Sequence, residues 1–379
     1  MILTMRNSMF LFLGLLLSFI GVAQQKPNDI TGRFYLPELA KPGEAGLLKA
    51  ELIYPLDKRP TPEVHASSLI ETPEGIVAAF FAGTHENNPD VGIRVTRLVD
   101  GKWTWPEEIV NGIQNDTLRY PCWNPVLFQP LGKPLMLYYK VGPSPTTWWG
   151  MLTVSEDNGK TWSEPKKLGE VPTIGHVIGP VKNKPVQLAS GKIINPSSLE
   201  YIVNGDQQNW KVYFELSDDG GETWRMIGPV NDGVNFDAIQ PSILTYSDGR
   251  IQAISRTKQD VLSQVWSDDE GETWGEMTAL DLPNPNSGTD AVSLADGRQL
   301  LIYNHSTKSG VEPKGRNILN LALSNDGIKW KPVMTLENVP IEDGYAYPAI
   351  IQGSDGLVHI TYTYNRRSVK YAIVDPAKL

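Results

Sequence analysis

The sequence predicts an all-β protein, a single six-bladed β-propeller, on three observations. An eight-residue turn of the form S-x-D-x-G-x-T-W occurs as SEDNGKTW at 155–162, SDDGGETW at 217–224 and SDDEGETW at 267–274, with a shortened SNDGIKW at 324–330. Between these turns an apolar hairpin recurs six times at a period of roughly 50–60 residues, the mark of a ring or array of repeated units. No long segment carries the apolar spacing of an amphipathic helix; short β-branched and aromatic runs alternate with DG, NG and PN turns instead.

Taken in chain order, residues 1–23 place one basic residue, Arg6, before the apolar run MFLFLGLLLSFIGVA, which ends in small residues. That order is a secretory signal peptide, too short and wrongly flanked for a stable membrane anchor, so the protein is expected to be exported to the periplasm or medium. Residues 24–50 form an N-terminal extension. The propeller is expected over 51–379, with ELIYPL (51–56) supplying a strand that closes the last blade. Its hairpins read HASSLIETPEGIVAAFF from 65, NPVLFQPLGKPLMLYYK from 124 and KPVQLASGKIINPSS from 184. The others are QPSILTYSDGRIQAISR from 240, TDAVSLADGRQLLIYN from 289 and YPAIIQGSDGLVHITYTY from 347. Each is an apolar strand, a glycine-containing turn and a second apolar strand. Such a unit cannot bury both its faces alone, so the units must stack in a ring. Two β-sandwich domains fit less well, because the repeat runs through the chain without a linker.

Composition restricts function. The whole chain carries a net charge of −9, and loss of Arg6 with the signal makes it one unit more negative. That field argues against nucleic acid or a broad anionic surface as partner. Cys122, the single cysteine, excludes an internal disulfide and reads as a small buried residue. No His/Cys/Asp cluster has metal-ligand spacing and no phosphate-binding glycine loop follows a strand, so no cofactor is expected. A monomer acting on a small acidic ligand, held in a local basic pocket, is the expectation.

The repeated turn is explained by its own chemistry. Its Asp accepts from backbone N–H groups, its Gly takes a positive φ, its hydroxyls satisfy turn amides, and its Trp packs between strands. These turns resemble the Asp-boxes of the BNR-repeat, sialidase-like superfamily, and the likeness covers roughly residues 50–375. The resemblance implies that the boxes are structural and that chemistry lies where the inner strands begin, around the central funnel. Those first residues are His65, Asn124, Lys184, Gln240, Thr289 or Asp290, and Tyr347.

Sialidases hold a substrate carboxylate with three arginines, protonate with an Asp, and attack with a Tyr activated by a Glu. GYAYPAI resembles the family's tyrosine stretch and places Tyr347 in the funnel; Asp90, in NNPDVGIRVTR, resembles the acid. Arg256 (IQAISR) and Arg316 (GRNILNLALS) match two of the arginines. Two positions depart from the pattern. His65 stands where the first arginine belongs, and Gln240 where the glutamate does. An amide cannot take up a phenolic proton, so the usual double displacement loses its base.

What remains is a carboxylate grip, Arg256 and Arg316, beside a titratable His and Tyr. Neutralising the carboxylate of a uronic acid acidifies its C5 proton, and elimination across C4–C5 then needs a base and an acid. His65 suits the base and Tyr347 the acid, or the two exchange roles. The constellation resembles the sialidase-like branch acting on uronic-acid-ended oligosaccharides, the dehydratase and lyase type linked to ulvan breakdown. His176, in GHVIGPVKNKP, is a second candidate base; Lys184, Asn124 and Gln240 are candidate substrate contacts; PNPNSGTD (283–290) reads as a plain turn, with sugar contact by Asn286 and Asp290 the alternative. His85 and His305 read as loop residues and His359 as half-buried in its strand, while Arg366 and Arg367 face either solvent or the funnel. An exo-acting glycoside hydrolase and a non-catalytic glycan-binding propeller are the rival readings.

Overall fold

In a computed structural model, which describes residues 36–168, 170–171, 175–176, 178–308 and 315–379, six antiparallel sheets follow one another along the chain. The predicted signal peptide lies outside the described residues. Blade 1 runs Glu63–Thr72, Gly75–Gly83 and Gly92–Val99, edged by Glu107–Val110; blade 2 runs Cys122–Phe128, Leu135–Val141, Trp149–Ser155 and Lys166–Lys167. Blade 3 comprises Val186–Gln187, Ile193–Val203, Gln207–Ser217 and Arg225–Ile227, and blade 4 comprises Ala238–Thr245, Ile251–Thr257, Val261–Ser267 and Thr278–Pro283. Blade 5 holds Asp290–Ser293, Gln299–Asn304, Leu319–Ser324 and Lys331–Glu337; blade 6 holds Tyr345–Gln352, Val358–Tyr364 and Ser368–Val374. All six predicted hairpins are the first two strands of a blade. The six-bladed all-β propeller is the observed fold.

The fourth strand of blade 6 comes from the other end of the chain: Leu47–Leu52 pairs with Ser368–Val374 in the register Leu47↔Val374 to Leu52↔Lys370. Closure therefore uses a strand that begins four residues before the predicted ELIYPL. Sharing a sheet between the two ends of the chain ties the last blade to the first and closes the ring. The inner strands are covered on both faces by neighbouring blades, which is why Cys122–Phe128 and Leu135–Val141 are buried at every residue.

The four Asp-boxes join the third and fourth strands of blades 2 to 5. In the first, Asp157 Oδ1 accepts from the backbone N–H of Lys160 and Thr161 at 3.1 and 2.8 Å, and Ser155 Oγ from that of Gly159 at 2.7 Å. Each box docks on the first hairpin turn of the preceding blade. Lys160 pairs with Glu74 of blade 1 at 2.6 Å, and Glu272 of the third box with Lys192 of blade 3 at 2.6 Å. Those turns close the inner hairpins at the end opposite their first residues, so the boxes lie at the far end of the ring from the funnel.

At the funnel end the inner strands share a backbone device. Ala66, Asn124, Lys182 and Gln240 have φ of 53°, 39°, 71° and 58°, at intervals of 58 residues, and Tyr347 follows with 49°. Four of them sit at register shifts, in blades 1, 2, 4 and 6. An innermost strand has no ladder partner on its axial side, and serines of the preceding blade accept backbone N–H groups there. Ser68 Oγ accepts from Leu127 N at 3.0 Å, and Ser198 Oγ from Gln240 N at 2.7 Å. Two funnel positions are thereby corrected: the residue in register in blade 1 is Ala66 rather than His65, and in blade 3 it is Lys182 rather than Lys184.

Candidate functional site

The funnel gathers its side chains around Tyr347, which its left-handed backbone presents at the first residues of blade 6. Arg256, ending the second strand of blade 4, donates Nη1–H to the Tyr347 hydroxyl at 2.5 Å and to Gln240 Oε1 at 3.2 Å. Gln240 thus fixes the arginine that contacts the tyrosine. The Arg316 guanidinium stands 5.4 Å from the Tyr347 ring centroid, within cation–π range, and the His65 ring 4.3 Å from it. These five residues come from blades 1, 4, 5 and 6, and the structure brings them together.

His65 is 2 % exposed, with Nδ1 3.0 Å from Thr363 Oγ1 and Nε2 sealed from solvent without a hydrogen-bond partner. Burial first, then the charges of Arg366, Arg316, Arg256 and Lys182, hold its pKa well below the ordinary histidine value, so the ring is neutral. The expected accessible base is therefore corrected to a neutral ring packed behind Tyr347. A His depressed in the fold binds its proton only on unfolding. Its stabilising effect is present above the unfolded value of about 6.5 and is lost as pH falls below it. Between pH 6.5 and 5 the wild type should lose up to about 1.4 kcal/mol per pH unit more than His65→Gln, read from urea unfolding at each pH. Parallel slopes would refute a buried neutral His65.

The remaining predicted residues divide. Asn124 is buried at its bulge. Asp90 is exposed on the loop after Gly75–Gly83, its Oδ2 accepting from Thr84 N at 2.8 Å. It makes no hydrogen bond to Tyr347, Arg256 or Arg316 among the described residues. The backbone of His176 pairs with Glu170, and its side chain lies outside what is described. Lys184 is no free substrate contact: it is bound to Asp290 at 2.9 and 3.0 Å and to Ala291 O at 2.8 Å. Asp290 in turn accepts from Ser242 Oγ and Ile350 N, so this pair fastens blades 3 to 6.

Four residues were not in the predicted site. Lys182 lies on the axis and donates to Asn183 Oδ1, Thr289 O and Pro348 O at 2.8, 2.6 and 2.6 Å. Burial pushes its pKa down to about 7, while three acceptors for three N–H groups hold the ammonium form. The interval of 58 residues from Asn124 and to Gln240 was the signal for it. Trp210 receives the Arg256 guanidinium 4.9 Å from its ring centroid and donates to Glu200 Oε2 at 3.1 Å; burial raises the Glu200 pKa. No local motif marks either residue. Arg366 accepts Val64 N–H at its carbonyl (2.8 Å) and pairs with Glu86 at 2.6 Å. Among the described residues no group of three or more His, Cys, Asp or Glu is placed to hold a metal ion.

A cationic funnel thus opens at the box-free end of the six-bladed ring. Residues 74–360 match the BNR repeat-like domain family, and the chain belongs to it. The chain is 24% identical over 238 residues to the anhydrosialidase of Macrobdella decora, spanning 58% of this chain and 30% of that protein's length. Among solved structures, a protein of unknown function from Dyadobacter fermentans superposes with a TM-score of 0.70 at 19% identity, over 86% of this chain and 98% of that one. The NanB sialidase of Streptococcus pneumoniae gives 0.67 at 14%, over 87% and 71%, and the intramolecular trans-sialidase of Ruminococcus gnavus 0.65 at 16%, over 88% and 99%.

Proposed function

We propose that the protein is an exported carbohydrate-active enzyme that binds the carboxylate of a non-reducing-end uronic acid and eliminates across C4–C5. The observation that carries this is the Tyr347 cluster: Arg256 on the hydroxyl at 2.5 Å, Arg316 over the ring at 5.4 Å and a neutral His65 at 4.3 Å. Two guanidiniums converge in a protein of net charge −9, which suits a small anion. Neutralised by them, the carboxylate stabilises the charge that develops as the C5 proton leaves. The Tyr347 oxygen takes that proton as its own hydroxyl proton passes to the oxygen on C4, with His65 packed behind the ring. The C5–H and C4–O bonds break, C4=C5 forms, and water or an alcohol departs. Gln240, an amide held on Arg256, supports elimination over attack by tyrosine, because it takes no proton from the phenol.

Incubation with uronate-ended oligosaccharides should raise the ultraviolet absorbance of a 4,5-unsaturated product. No rise across a broad panel would refute elimination. The likeness to an anhydrosialidase favours a second reading, an exo-acting glycoside hydrolase on an acidic sugar. Release of free sugar without unsaturation would establish that instead, and tight binding with neither product would leave a glycan-binding propeller.

A further inference from the structure

Among the described residues no arginine of the first blade contacts the Tyr347 cluster, yet a turn from the opposite end of the chain brings a cation beside that blade. Asn365 and Arg366 form the turn between Val358–Tyr364 and Ser368–Val374, both at φ 49°. Left-handed backbone is unfavourable for a long side chain, and glycine or asparagine is the usual occupant of both central positions of such a turn. An arginine kept there at a conformational cost points to a use for its side chain. The Arg366 carbonyl accepts Val64 N–H at 2.8 Å, which locks the turn to the residue before His65. Arg366 and Arg316 line one open cleft of about 510 Å³. The only carboxylate within 3 Å of the Arg366 guanidinium, among the described residues, is Glu86 at 2.6 Å; Glu63 is 3.9 Å away.

We propose that Arg366 is the third carboxylate-binding residue of the funnel, replacing an arginine of blade 1, and that Glu86 is its counter-ion until an acidic sugar displaces it. This rests on the acidic-sugar reading above. The arrangement places Arg366, Arg316 and Arg256 around His65, and all three contribute to keeping that ring neutral. It also makes binding an exchange: the sugar carboxylate takes over the guanidinium N–H groups that Glu86 holds, so the free site carries no bare charge. Sequence spacing conceals this pairing, since Arg366 meets blade 1 only once the ring has closed.

The test is equilibrium binding of glucuronate and its neutral amide, glucuronamide, to the full-length protein and to Arg366→Met, Arg366→Lys, Glu86→Gln and Arg256→Met. Arg366→Met is expected to weaken glucuronate binding about tenfold or more and leave glucuronamide unchanged, with Arg366→Lys between it and the wild type. Glu86→Gln, which keeps the arginine and frees it, is expected to tighten glucuronate binding. A wild type that prefers the acid together with an Arg366→Met variant that prefers it equally overturns the role of Arg366 alone. A Glu86→Gln variant with unchanged affinity overturns the exchange even if Arg366→Met does not fold. A wild type that binds acid and amide alike overturns the acidic-sugar reading and the role of Arg366 with it.

Discussion

Tyr347→Phe should lose turnover by about 10²–10⁴-fold, the usual worth of a positioned proton-transfer group, while keeping its affinity for the acidic sugar. The substitution deletes one oxygen. The ring stays packed against His65 at 4.3 Å and under Arg316 at 5.4 Å, and the backbone at φ 49° is unchanged. Arg256 loses one acceptor but keeps Gln240 at 3.2 Å and Trp210 at 4.9 Å, so the carboxylate grip survives. The measurement is the rate of unsaturated-product formation set against equilibrium binding. A variant turning over within a few-fold of the wild type would remove Tyr347 from the chemistry. A fall in affinity matching the fall in rate would make it a binding residue only.

The second large effect concerns stability. Lys182→Met should cost about 3–5 kcal/mol, because it removes a buried charge and strands the three oxygens that charge satisfies. Those oxygens belong to Asn183, Thr289 and Pro348, so one ammonium joins blade 3 to blades 5 and 6 on the axis. Pro348 follows Tyr347 directly, and the same contact fixes the carbonyl that closes its bulge. Denaturant unfolding of the purified variant measures the loss. An unchanged midpoint would show that the axial lysine carries no weight in holding the ring.

Much of the ring was legible because its signals are local and repeated. Each box contains its own hydrogen-bond partners within eight residues, and each hairpin carries its turn between two apolar runs, so neither needs the rest of the chain to be recognised. The funnel was legible only in part, since its residues are defined by register. The left-handed residue of blade 1 is Ala66, beside the more conspicuous His65, and a one-residue slip moves a side chain to the other face. In blade 3 the inner strand is just Val186–Gln187, and the left-handed residue precedes it, which made Lys184 look equivalent when Lys182 is. Glu200 and Trp210 face each other across a hairpin and reach Arg256 by tertiary packing alone. Arg366 follows the last hairpin and in sequence faces either solvent or the funnel; the pairing of Leu47–Leu52 with the last blade goes with a turn held beside Val64.

The recurrent left-handed residue implies a separation of labour between backbone and side chain. Ala66, Asn124, Lys182, Gln240 and Tyr347 share a backbone sign but no chemistry, so the fold treats these places as sockets that accept whichever letter is written there. The serines that receive the inner strands' backbone amides belong to the neighbouring blades and are indifferent to what the socket holds. An exchange at one of these places then alters the side chain presented without altering the backbone that presents it. Ala66 fills its socket with a methyl group packed into the core, so a larger letter there has to displace the side chains around it.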